Sequence, residues 1–257
     1  MVLFAFDAFH LFDAEVPVAD PAAAEAALET SVSRLRGLWN KVRELFGSTV
    51  LQQTVLPVPL PLIGNNEHRL PGSPLRLVRA LNERLRANAD GWVDFLSLDE
   101  RVSTDGIGAW HDPVLWHRAK QEITPLASPL YGDLVGRILA ARQGRSAKCL
   151  ILDLDNTLWG GVIGDDGLSG IKLGQGSSLG EAHLAVQRYA RNLSRRGIIL
   201  AVCSKNDIAA AMSPFEKHPE MLLRSSDIAC FVANWSDKAT NIRHIAKALN
   251  ILSLIHI

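Results

Sequence analysis

Three runs, KCLILDL at 148–154, IILAVCS at 198–204 and IACFVAN at 228–234, are apolar along almost their whole length and are separated by helical patterns. A strand that is apolar on both faces must be covered on both faces. Strands that alternate with helices pair in parallel, so the spacing predicts a doubly wound parallel sheet. Ligands of such sheets bind beyond the carboxyl ends of the strands. Those ends carry Asp153 and Asp155, then Ser204, Lys205 and Asn206, then Asn234 followed by Lys238.

In an extended strand positions i and i+2 share a face, so Asp153 and Asp155 are neighbours whose charges repel, and a positive group is expected beside them. The set matches phosphoryl transfer through a carboxylate. One aspartate attacks phosphorus, the second handles the protons of leaving group and water, and Mg²⁺ offsets the crowded negative charge. Asp153 and Asp155 are thus candidate catalytic residues and metal ligands. Ser204, Lys238, Lys205 and the Asn156–Thr157 pair that follows the aspartates are candidate phosphate ligands. Lys238 is expected in the first turn of a helix capped by Ser236, against the positive end of the helix dipole, where an anion would compensate. A further helix is expected over about 178–196, with Ser178 and Glu181 as a capping box and Gly197 as its close.

The N-terminal part also reads as α/β. VLFAF at 2–6 predicts a strand. Asp20 and Pro21 open a helix with Leu28, Val32, Leu35, Trp39, Val42 and Phe46 on one face, and Gly47 ends it. TVLQQTVLPV runs into alternating prolines at 57, 59 and 61; helical patterning resumes over about 74–88. WVDFLSL predicts another strand, and Asp112 with Pro113 caps a further helix. The polar segment GRSAK at 144–148 reads as a link, which divides the chain into two doubly wound parallel-sheet units, 1–145 and 146–257.

Composition narrows the function. Lysine plus arginine and aspartate plus glutamate balance at 27 each, which argues against nucleic acid or an anionic membrane as the main partner. No run reaches the ~20 apolar residues of a membrane span, and the apolar start lacks a basic n-region. Cys149, Cys203 and Cys230 share no CxxC spacing and lie in or beside core strands, as expected in a reducing cytoplasm. The histidines form no zinc spacing with cysteine. Gly174, Gly176 and Gly180 fit neither a dinucleotide fingerprint nor a Walker loop.

CLILDLDNTLWGGVIGDDG, GIILAVCSKND, PFEKHPEM and FVANWSDKATNIRHIAKALNI together resemble the haloacid dehalogenase (HAD) superfamily, in particular its FkbH-like, class IIIC phosphatase branch, over about 149–251. The resemblance implies a HAD-like Rossmannoid domain. In it Asp153 is the nucleophile, Asp155 is the general acid/base with its main-chain carbonyl on Mg²⁺, Ser204 is the second motif and Lys238 the third. GGVIGDDG corresponds to a small hairpin flap over the site. Members of this branch that serve polyketide assembly load a glyceryl unit from 1,3-bisphosphoglycerate onto an acyl carrier protein. That chemistry needs a thiol acceptor, either the carrier's phosphopantetheine or an enzyme cysteine. Cys203 is the cysteine beside the predicted site, and its other reading is a small core residue ending a strand.

Residues 1–145 resemble, less specifically, the family's SGNH-hydrolase-like companion domain. No GDS occurs, the one DxxH runs from Asp7 to His10 on the first strand, and GNNE at 64–67 only loosely matches the asparagine block. The region is therefore expected to position a carrier or substrate rather than to hydrolyse an ester, and to begin partway into that domain. At the other end the family continues past ALNI into a strand that delivers an acidic pair, the fourth motif. Here LSLIHI follows: either that strand, ending before its acids, or unrelated sequence, the second favoured by the missing glycine-containing connection. Two functions remain open, a Mg²⁺-dependent phosphatase or glyceryl transferase acting with a carrier protein on a small phosphorylated substrate, and a catalytically incomplete fragment that binds a carrier or phosphometabolite.

Overall fold

The computed structural model describes residues 1–12, 16–251 and 255–256, and the chain divides into two compact units, Met1–Arg142 and Gln143–Ile257. The first contains β1 (Val2–Phe4), α1 (Ala8–Leu11), α2 (Pro21–Phe46), β2 (Val50–Gln53), α3 (Pro74–Asn88), β3 (Val93–Leu96), α4 (Leu98–Asp105), α5 (Ile107–Trp110), α6 (Pro113–Ala119) and α7 (Ser128–Arg142). The second contains β4 (Cys149–Leu152), α8 (Ile163–Gly170), α9 (Ser178–Arg195), β5 (Ile199–Ser204), α10 (Ile208–Lys217), β6 (Ile228–Ala233), α11 (Lys238–Ala248) and β7 (Ile255–His256). Among these elements no helix is long and apolar enough to cross a membrane.

In the N-terminal unit the sheet order is β1-β2-β3, all parallel. Alternation along β2 sends Val50 into a core with α2 and α3, and Leu51 into a second core with Leu96, Leu98 and Trp110. Helix α2 forms where the sequence predicts it. The Asp20 carboxylate accepts the Ala22 and Ala23 N–H groups at 2.8 and 3.2 Å, and Gly47, at φ 55°, closes the last turn. Its buried face carries Leu28, Val32, Leu35, Trp39 and Val42, whereas Phe46 is exposed, because a stripe spaced at fours and threes drifts around a 3.6-residue helix. Asp7 and His10 do not lie on the first strand. Asp7 instead caps α1, and its Oδ2 accepts from His10 Nδ1 at 2.7 Å. Glu67 of GNNE is buried and accepts the Leu62 and Ile63 N–H groups and the Ser73 hydroxyl, so this acid braces a loop.

Polar groups are buried at the carboxyl end of β2. Gln53 donates to Glu122 Oε2 at 2.8 Å and accepts the Tyr131 hydroxyl at 2.9 Å. Glu122 Oε1 has no hydrogen-bond partner among the described residues. Burial, aided by the nearby Asp7 carboxylate and opposed by the Gln53 bond, pushes the Glu122 carboxyl up to about 8.

The C-terminal sheet is also parallel, in the order β6-β5-β4-β7. Leu200 and Val202 of β5 face a core with α9 and α10, while Ala201 and Cys203 face the other core with Ile245 of α11. The sheet is thus covered on both faces. Ile255 and His256, in the run after ALNI, pair in parallel with Cys149 and Leu150. The remaining residues of that run, 252–254 and 257, lie outside those described. Ser177, not Ser178, caps α9, accepting Gly180 N–H at 3.1 Å, so the Ser178–Glu181 capping box does not form.

Candidate active site

Strand β4 lies between β5 and β7: the chain runs outward from β4 to β5 and β6 and then returns to the other side of β4 at β7, so the strand order reverses there and the crevice at its carboxyl end is the topological switch point of the sheet. Asp153 follows the last residue of β4 at that point. Its Oδ1 accepts the Leu154 N–H at 2.9 Å and its Oδ2 accepts from Lys238 Nζ at 2.5 Å. The positive group expected beside the aspartates is therefore Lys238. It is the first residue of α11, whose cap is Asp237, accepting Thr240 N–H at 3.0 Å, and not Ser236. Asn234 accounts for the shift: its Oδ1 takes the Ser236 N–H at 2.9 Å, which turns the chain before the helix starts.

Asp155 is held differently, by neutral donors. Its Oδ1 accepts Trp159 Nε1–H and Ile163 N–H, both at 3.0 Å, and its Oδ2 accepts from Asn206 Nδ2 at 2.8 Å. The same Asn206 amide donates to Ser204 Oγ at 3.1 Å, and both residues are buried. Fixed donors on both oxygens set the carboxylate's orientation. Sequence spacing puts Asn206 near the strand ends but does not mark it as a partner of Asp155, and it does not mark Trp159 at all.

The other candidates divide. Ser204 joins the cluster through Asn206. Asn156 adopts left-handed φ 56° and its Oδ1 accepts Gly161 N–H at 3.0 Å. Thr157 returns its N–H to Leu154 O at 3.1 Å, and its carbonyl accepts from His183 Nδ1 at 2.9 Å. Both of these residues shape the loop after β4 through the contacts they make. Lys205 is exposed at the end of β5. Cys203 is only 3% exposed and faces the α11 core, and burial pushes its thiol up, which matches the core-residue reading rather than a thiolate acceptor.

GGVIGDDG is a hairpin only at its base. Gly160 and Lys172 exchange backbone hydrogen bonds of 2.9 and 2.8 Å, but α8 fills the interval, kinked at Gly167. Asp165 and Asp166 in the first turn of α8 favour this, and Asp166 Oδ2 accepts the Val162 N–H at 2.8 Å.

Two carboxylates and one ammonium leave the site with one net negative charge, and its donors are oxygens. That fits Mg²⁺, which takes one or two carboxylates and completes its shell with water and phosphate. Among the described residues no group of three or more His, Cys, Asp or Glu side chains gathers around a common point.

No family model and no curated protein matches the chain. One solved structure does: the N-terminal part of the protein BF1531 from Bacteroides fragilis, described as containing a phosphatase domain and complexed with Mg. The similarity has a TM-score of 0.86 and 31% sequence identity and covers 97% of this chain. This chain in turn spans 65% of that one. The two share the same α/β fold.

Proposed function

We propose that the C-terminal unit is a Mg²⁺-dependent phosphatase that works through an aspartyl-phosphate on Asp153. The observation that carries this reading is the Lys238 ammonium on Asp153 Oδ2, with Asp155 held two residues away by Asn206, Trp159 and Ile163. The similarity to a phosphatase-containing structure with Mg supports it.

In the first step an Asp153 oxygen bonds to phosphorus as the bond to the leaving oxygen breaks, and Asp155 gives that oxygen a proton. In the second, Asp155 takes a proton from water, the water oxygen bonds to phosphorus, and the Asp153 carboxylate departs. Lys238 and Ser204 hold the phosphoryl oxygens. Asp153 and the Asp155 main-chain carbonyl would hold Mg²⁺, which supplies charge neutralisation and orientation of the phosphoryl group.

The motif resemblance over 149–251 supports a finer proposal, an FkbH-like enzyme that loads a glyceryl unit from 1,3-bisphosphoglycerate onto an acyl carrier protein, with an SGNH-like N-terminal unit that positions the carrier. The buried Cys203 makes the carrier's own thiol the better acceptor. Phosphate release from a generic phosphoester, run beside carrier loading followed by intact mass, tests both levels. Release without loading keeps the phosphatase and removes the transferase. Neither activity, at any Mg²⁺ concentration, leaves the binding-module reading.

A further inference from the structure

Helix α9 buries a polar side chain in the middle of its core-facing stripe. Gln187 is 0% exposed and shares that face with Leu184 and Ala190, one turn after His183. Covering a sheet asks only for apolar residues at such a position, and a buried amide is costly unless its groups are bonded. Here all four of its bonding positions are taken. Nε2 donates to the Leu158 carbonyl at 2.8 Å and to Met221 Sδ at 3.1 Å, while Oε1 accepts the Leu222 and Leu223 N–H groups at 2.8 and 3.3 Å. Turned over, the amide would set its oxygen against the Leu158 carbonyl and its hydrogens against two N–H groups, so these neighbours fix its orientation.

The Leu158 carbonyl belongs to the peptide that enters Trp159. His183 Nδ1 holds the preceding carbonyl, that of Thr157, at 2.9 Å. Two residues of one helix face therefore mount the turn from which Trp159 reaches back. The Trp159 indole, itself buried and edge-on to Phe215, donates to Asp155 Oδ1 at 3.0 Å. Gln187 thus reaches Asp155 through Trp159.

We infer that Gln187 is a positioning residue for the phosphoryl chemistry: it fixes the peptide before Trp159, and with it the indole that orients the Asp155 carboxylate. Its effect on turnover rests on the phosphatase reading, whereas the bond from indole to carboxylate is readable without turnover.

Two variants of the whole chain test this. Gln187→Glu at about pH 8.5 presents a carboxylate, which still accepts the Leu222 and Leu223 N–H groups but offers the Leu158 carbonyl no donor. Gln187→Met offers none in any protonation state. Met221→Leu is the packing control, since it removes the sulfur contact at similar volume and keeps the Leu158 bond. In ¹⁵N-labelled protein the Trp159 indole N–H resonance, assigned by its loss in Trp159→Phe, is expected to move in both Gln187 variants and to stay in place in the control. In both, kcat for a generic phosphoester should fall by roughly tenfold or more with KM within about twofold, and it should hold at the parent value in Met221→Leu. If the parent releases no phosphate, the phosphatase reading fails and the indole resonance alone decides. A resonance that stays in place in a Gln187 variant folded by far-UV dichroism, one that Met221→Leu moves as far, or an unaltered kcat in an active chain would each overturn the inference.

Discussion

Lys238 Nζ lies 2.5 Å from Asp153 Oδ2, although the two residues come from different strand ends and are separated by the whole β5–β6 segment. A lysine at the first position of a helix is unfavourable against the helix dipole. Its carboxylate partner offsets that, and an incoming phosphoryl group would take over the same charge. Both side chains are partly exposed, 44% and 38%, so the pair contributes about 1 kcal/mol or less to stability. The pair therefore adds little to folding.

Asp153→Asn is accordingly expected to abolish phosphate release while leaving the unfolding free energy from urea melts within about 1 kcal/mol of the parent. Lys238→Met should lower turnover by ~10² or more through loss of a charged contact to the phosphoryl oxygens. Turnover and denaturation measured on the same preparations check both. Unchanged turnover in the Asp153 variant would remove the aspartyl-phosphate route.

Asn206→Leu removes the donor shared by Asp155 Oδ2 and Ser204 Oγ and leaves two acceptors without a partner. The expected cost is about 1–3 kcal/mol of stability. A fall in kcat larger than any change in KM would mark Asn206 as the residue that positions Asp155; a stability loss with unaltered kcat would restrict it to packing.

Glu122 makes stability depend on pH. Its folded value of about 8 lies above the ordinary 4.5, so between these limits the folded chain holds a proton that the unfolded chain releases. This contribution is complete below about pH 4.5 and is lost as pH rises toward 8, by up to about 1.4 kcal/mol per pH unit. Glu122→Gln keeps the acceptor for Gln53 and should flatten the slope. Urea melts of both proteins at several pH values between these limits decide the matter, and parallel slopes would contradict it.

Gly161→Ala tests the loop beyond the aspartates. Gly161 has φ 95°, and a Cβ there would meet Asp166 Oδ2 at 2.4 Å. A strained residue costs about 1–3 kcal/mol locally. Phosphate release should drop, with the Asp153 and Lys238 pair still present in a crystal structure of the variant.

How much of this was legible depends on what each feature rests on. Asp153, Ser204 and Lys238 stand out because strand periodicity alone brings strand ends together. Asn206 acquires its role by bonding across two strand ends, and Trp159 by the turn after β4 that returns its indole to Asp155, so spacing cannot reveal them. Helix α7 carries the apolar stripe Tyr131, Leu134, Val135 and Ile138, but it is only partly buried and Gly132 and Gly136 interrupt its helical signal, and α4 and α5 are each too short to show a period. The shifts of cap from Ser178 to Ser177 and from Ser236 to Asp237 come from neighbouring polar residues that compete for the same backbone donors.

The loop after β4 is anchored to Asp155 itself, through Ile163 N–H and Trp159 Nε1–H on one oxygen. Those bonds are strongest while the carboxylate is charged. When Asp155 takes a proton from water in the proposed second step, that charge disappears and the grip on the loop slackens. The proton that completes one turnover would thus also serve as the latch release, so that the loop loosens as free phosphate forms and tightens again once the proton has left.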